Sequence, residues 1–148
     1  MQVTTRGRYA LLAVIDIATH ETAGPVSRKD IAARQQLPSD YVEQILVRLR
    51  RASIVTSTRG PRGGYRLARA ASTITALDVL DAVEEDIDAA TCVGEKAGTC
   101  SRSGSCASHL LWDELTTRVA EYLRSVTLAT LLERQRVLER GERPLTFA

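Results

Sequence analysis

A mostly α-helical protein with one small β-hairpin, ending in a long separate helix, is the fold class that the sequence predicts. Three observations carry that expectation. Apolar residues recur at helical spacing through most of the chain. Only residues 54–67 gather β-prone side chains around a Pro/Gly turn. Beyond the last cysteine, Trp112, Leu115, Val119, Tyr122 and Val126 return at spacings of 3, 4, 3 and 4, the seam of a helix that packs along its length.

The 148 residues, 44% of them hydrophobic but with one Trp and one Phe, suit one compact domain with a Leu/Val/Ala core and an appended element. The longest apolar run, residues 9–15, ends at Asp16, far short of the roughly 20 residues of a membrane span, so no membrane partner is expected. The opening MQVTTRGRYALLAVID imitates a signal peptide only faintly, because it ends in an acid and has no small-residue cleavage site. Three cysteines are an odd number, which argues against a closed disulfide framework and for reduced thiols in a cytoplasm.

In chain order, Leu11, Leu12, Ile15 and Ala18 mark a first helix that ends near Gly24-Pro25. Ser27 can cap a second helix, with Asp30 three residues on and Ile31 and Ala32 facing the core. Pro38 disfavours helical geometry at Leu37, and Ser39 is a natural N-cap for a third helix. There Val42, Ile45, Leu46 and Leu49 make one buried stripe, and the opposite face presents Asp40, Glu43, Gln44, Arg48 and Arg51. Such side chains read base edges or grip phosphates when a helix enters a major groove.

Two β-prone runs around Gly60-Pro61-Arg62-Gly63-Gly64 make a hairpin. Helix, helix, turn, helix, hairpin is the order of a winged helix-turn-helix domain, with Arg59 and Arg62 on the wing, where a minor groove can accept them. RGPRGGY lacks the lysine-serine ending and following helix of a phosphate-binding loop. Charge agrees with a nucleic-acid partner. Residues 1–72 carry twelve Lys/Arg against five Asp/Glu, whereas residues 73–148 carry eight against thirteen. Arg28 at the head of the second helix and Ser39 at the head of the third join the candidate contacts.

Four further regions follow the 1–72 DNA-binding region. Residues 73–90 read as a connector helix capped by Thr75, with Asp78, Asp81, Glu84, Glu85 and Asp86 on a solvated face and Asp88 leading into a loop. Residues 91–108 form that loop, 109–138 the dimerisation and C-terminal helices, the last packing back on the one before it, and 139–148 a frayed tail. A two-fold homodimer on a palindromic operator is expected, because a single half-site seldom gives useful specificity.

Every cysteine lies in the loop, in the spacing C-x7-C-x5-C-x2-H formed by Cys92, Cys100, Cys106 and His109. Glycine and serine around them leave no core face for inert thiols, and Cys106 and His109 share one turn at the start of the long helix. Three thiolates and an imidazole suit tetrahedral zinc or an iron-sulfur cluster, and ligand chemistry alone leaves both open. No acid/base pair accompanies the thiols, so an enzyme is not expected. His20, near the end of the first helix, reads as a surface residue favoured by the helix dipole.

The opening TTRGRYALLAVIDIA, the segment GPVSRKDIAARQQLPSDYVEQILVRLRRASIVTSTRGPRGGYRLAR and the cysteine segment followed by LWDEL resemble the IscR-type family of bacterial iron-sulfur transcription regulators. The similarity runs over about residues 3–138, and the wing and cysteine segments are its most specific parts. The resemblance implies a dimeric winged-helix regulator, mainly a repressor, that binds double-stranded DNA and controls iron-sulfur assembly genes in response to iron, redox or nitric oxide status. It places Tyr41, Glu43 and Gln44 on the recognition helix and Arg59 on the minor-groove wing. It implies a 2Fe-2S cluster on Cys92, Cys100 and Cys106 with His109 as fourth ligand. A zinc-stabilised regulator and a 4Fe-4S nitric oxide sensor are the alternatives. The latter takes an acidic ligand from the N-terminal helix, where this chain has Arg8. Two departures from the family are the seven residues, rather than five, between the first two cysteines, and Asp40 where a small hydroxyl residue is common.

Overall fold

Helix α1, Thr5–His20, begins where the Thr4 hydroxyl accepts the Gly7 N–H at 3.4 Å. The structure, a computed structural model, describes residues 3–94 and 100–143. Helix α1 lies at the centre of the domain, touching helices α2 (Arg28–Gln35), α3 (Ser39–Arg51), α4 (Ala76–Ala82) and α6 (Leu128–Glu139). Its buried face is Gly7, Ala10, Ala13, Val14, Asp16 and Ile17, not the Leu11, Leu12, Ile15 and Ala18 stripe that the spacing suggests. Those four are half-buried or, for Leu12, exposed. A central helix is apolar nearly all round, which blurs the periodic signal, and its small residues take the closest contacts.

Ser27 caps α2 as expected, accepting the Asp30 N–H at 3.1 Å and donating its hydroxyl to Asp30 Oδ2 at 2.7 Å. Ser39 is not the cap of α3 but its first residue. Pro38 occupies the cap position, its ring fixing an extended start whose carbonyl accepts the Tyr41 and Val42 N–H groups at 3.1 and 3.0 Å. The Val42, Ile45, Leu46, Leu49 stripe is buried in full. Each such side chain contributes about 1.5–3 kcal/mol by leaving water.

Helices α2, α3 and α4 end alike, with the N–H of Leu37, Ile54 and Glu85 donating five residues back to Ala32, Leu49 and Leu80 at 2.9, 2.9 and 3.0 Å. This closure puts one residue in the left-handed region, and Gln36, Ser53 and Glu84 take it at φ 54, 56 and 55° although none is glycine.

Strands β1 (Val55–Thr58) and β2 (Gly64–Leu67) pair antiparallel, Val55 opposite Leu67 and Thr58 opposite Gly64. The wing is pinned at its base. Val26 and Tyr65 exchange backbone bonds at 2.9 and 2.8 Å, and a Cβ on Gly64 would fall 2.5 Å from the Val26 carbonyl oxygen. The Glu21 carboxylate accepts the Leu67 N–H at 2.7 Å. The observed architecture is the expected one, mostly helical with a two-stranded wing.

Helix α5, Ala107–Ser125, packs on α4. Helix α6 does not fold back on α5, as the sequence suggested, but rests on α1 and the 3-10 turn Ala71–Thr73. Val126, expected on the α5 seam, lies past the helix end and is buried with Leu128, where Ala76 donates to Val126 O and Leu128 to Ile74 O, each at 2.8 Å. Leu128 joins the core cluster of the winged-helix domain and anchors α6 on it, while Val126 is buried just before it in sequence. Among the described residues no helix is long and apolar enough to cross a membrane.

Candidate nucleic-acid interface and metal loop

The outer face of α3 leaves Asp40, Glu43, Gln44 and Arg51 exposed, because the stripe facing inward fixes the rotation of the helix. Arg59 and Arg62 are exposed on the turn of the wing, the second positive feature beside the helix. Arg28, the first residue of α2, makes an ion pair with Glu43 across the helix-turn-helix. That pair offsets a carboxylate that would otherwise repel phosphate. Ser39 is half-buried at the start of α3.

Two candidate contacts hold other partners. Tyr41 is half-buried with its ring edge-on to Tyr9, centroids 5.7 Å apart at 84°. Such aromatic pairs contribute about 0.5–1.5 kcal/mol beyond burial. Arg48 Nη1 donates to Glu84 Oε2 at 2.6 Å. The Arg48 hydrogen bond and charge hold the Glu84 carboxyl below its ordinary range.

The connector acids are not one solvated face, which corrects the sequence reading. Helix α4 stops at Ala82, and Asp78 belongs to its capping box, accepting the Thr75 N–H at 2.9 Å while Thr75 Oγ1 accepts the Asp78 N–H at 3.1 Å. Burial opposes ionisation of Asp78, but hydrogen bonds from Thr75 and Arg69 prevail and lower its pKa. Burial raises that of Asp81, helped by neighbouring Asp78 and opposed by Arg124. Glu85 is buried, accepting the Thr4 N–H at 2.6 Å and the Thr4 hydroxyl at 2.5 Å. Sequence reasoning missed Glu85, although Gly7 inside a helix was a signal of close approach. A Cβ there would stand 2.8 Å from the Glu85 carboxyl.

The chain leading into the cysteine segment is tied to the first half of α5. Ala89 N–H donates to Thr116 Oγ1 at 2.9 Å, and Val93, next to Cys92, is fully buried. Cys92, Cys100 and Cys106 are half-buried free thiols. Cys106 is the N-cap of α5, its carbonyl accepting the N–H groups of His109 and Leu110 at 3.1 and 3.3 Å. His109 is the one buried residue of α5, 9% exposed, and its Nδ1 has no hydrogen-bond partner among the described residues. A buried polar atom without a partner costs about 1–3 kcal/mol, so an unpaired imidazole nitrogen three residues from Cys106 fits a ligand better than a packing residue. Among the described residues no three of His, Cys, Asp or Glu stand close enough to hold a metal ion, and residues 95–99 of the loop lie outside the described residues. The donor set therefore fits a thiolate-bound cluster in chemistry without being drawn together. His20, by contrast, is tied through Nδ1 to Asp16 O at 2.8 Å and is partly exposed.

Beyond the loop, Leu110, Leu111, Leu115 and Tyr122 are exposed on α5 by 67, 57, 41 and 48%. Beside them an apolar cleft of about 370 Å³ is lined by Val3, Leu80, Ile87, Val119, Tyr122 and Leu123.

Residues 3–134 match the family model of Rrf2, described as an iron-dependent transcriptional regulator. The chain is 43% identical over 93% of its length to a putative HTH-type transcriptional regulator, ORF2, of Azotobacter vinelandii, covering 82% of that protein. It is 41% identical over 97% of its length to the HTH-type transcriptional regulator IscR of Yersinia pseudotuberculosis, covering 86% of it. Among solved structures, T. potens IscR superposes with a TM-score of 0.76 at 32% identity, covering 99% of this chain and 94% of that one. CymR, the global cysteine regulator of B. subtilis, superposes with a TM-score of 0.75 at 33% identity, covering 90% and 97%.

Proposed function

The chain belongs to the Rrf2 family of iron-dependent transcriptional regulators, and from that membership we propose a homodimeric regulator whose promoter choice is set by a 2Fe-2S cluster. Cys92, Cys100, Cys106 and His109 would hold the cluster. The observation that carries this reading is the buried, unpartnered Nδ1 of His109 one turn from Cys106. When bound, such a cluster supplies sensitivity to iron supply, oxidants and nitric oxide. A neutral histidine ligand, donating to iron less strongly than an anionic thiolate, makes the site easier to empty.

The residues of the chain do the rest. Arg59 and Arg62 grip the minor groove while Gln44 and Glu43 meet base edges, with Arg28 setting the posture of Glu43. The exposed leucines of α5 and Tyr122 meet a second copy, giving two recognition helices related by a two-fold axis for a palindromic operator. Iron-sulfur assembly genes, mainly repressed in the cytoplasm, are the targets of this reading.

His109→Cys tests the ligand assignment. The variant should retain its visible absorption longer in air than the parent, and its DNA response to air should be slowed to match. Unchanged lability together with an unchanged DNA response would remove His109 from the ligand set.

A further inference from the structure

Two consecutive residues, Glu84 and Glu85, join the end of α4 to the first turn of α1 and to α3. The Glu84 carbonyl accepts Arg6 Nη2 at 2.7 Å and its carboxylate accepts Arg48 Nη1 at 2.6 Å, while the Glu85 carboxylate holds both Thr4 donors. Glu84 does so at φ 55°, a left-handed conformation that glycine adopts without strain. A non-glycine residue kept in that conformation, with its side chain on the DNA-reading helix, points to a use for the side chain. Cys92 follows seven residues after Glu85, past the Ala89 bond to α5 and next to buried Val93. A change of order in the loop is therefore carried along a short stretch of chain to this elbow.

We propose that Glu84 and Glu85 are positioning residues that transmit the state of the cysteine loop to the recognition helix, Glu84 through Arg48 and Glu85 through the start of α1. This rests on the cluster reading for its signal, but not for its mechanical part. Glu84→Gly keeps the helix ending and removes the grip on Arg48; relief of the left-handed backbone and loss of a carboxylate act on the loaded and metal-free forms alike, so the ratio of the two affinities is the readout.

The test compares DNA affinity of cluster-loaded and metal-free protein, a ratio expected to be about fivefold or more in the parent. In Glu84→Gly the ratio should fall toward one at unchanged cluster content; an unchanged ratio overturns the proposal. If the parent binds no cluster or shows no such ratio, the cluster reading fails and hydrogen exchange of metal-free protein decides the elbow. Val93→Ala should then speed exchange in residues 39–51 when Glu84 is present and not in the Val93→Ala, Glu84→Gly double variant. Exchange that rises in both backgrounds, or in neither, overturns it.

Discussion

Asp16 and Arg34 form a two-pronged ion pair in which the carboxylate side chain is wholly buried: Arg34 Nη2 lies 2.7 Å from Oδ1 and Nε lies 3.0 Å from Oδ2. Gln35 adds a third donor at 3.0 Å. The cluster ties α1 to the last turn of α2 and so sets the helix-turn-helix angle. Removing Arg34 leaves a buried carboxylate short of its cation, a loss of about 3–5 kcal/mol in fully buried pairs. Because the Arg34 side chain is 36% exposed, Arg34→Met should cost nearer the lower bound, read as a lowered urea midpoint.

Gly7 and Glu85 should behave as a coupled pair. In an ordinary helix Gly→Ala stabilises by about 1 kcal/mol. Here the new methyl would displace the Glu85 carboxylate from Thr4, so Gly7→Ala should destabilise. In a Glu85→Ala background the same change should become stabilising. A four-variant denaturation cycle reads the reversal of sign.

Acid should loosen the start of α4. The Asp78 pKa is lowered in the fold, so its contribution is complete above the unfolded-state value and is lost as pH falls through the lower folded value. Melting temperature against pH should therefore drop more steeply below the usual carboxylate range in the parent than in Asp78→Asn. The variant should be the less stable near neutrality.

The wing predicts a salt signature. Arg59→Ala should weaken binding to a palindromic duplex and reduce the slope of log affinity against log salt by about 1, since one phosphate-neutralising cation is removed. Fluorescence anisotropy across a salt series measures both, and an unchanged slope would count against wing insertion.

Much of this was legible in the sequence because it is local. The α3 stripe, the Ser27 and Thr75 caps and the Gly60 to Gly64 turn each follow from residues within a few positions of one another. What was not legible depends on distant partners. Leu11 and Leu12 look like a core stripe until α1 is seen surrounded, and Val126 continues a heptad until it is seen buried past the end of α5. Glu85 looks like one more surface acid, yet Thr4 draws it in from 81 positions away. The cysteine segment offers its candidate ligands by type and spacing. The isolation of His109 Nδ1 is a burial fact that only the fold supplies.

The cluster is the central claim, and metal analysis of anaerobically purified protein tests it most directly. The account predicts a coloured protein with two iron and two sulfide per chain that loses both colour and metal in His109→Ala. A colourless protein carrying one zinc per chain and no sulfide would contradict it.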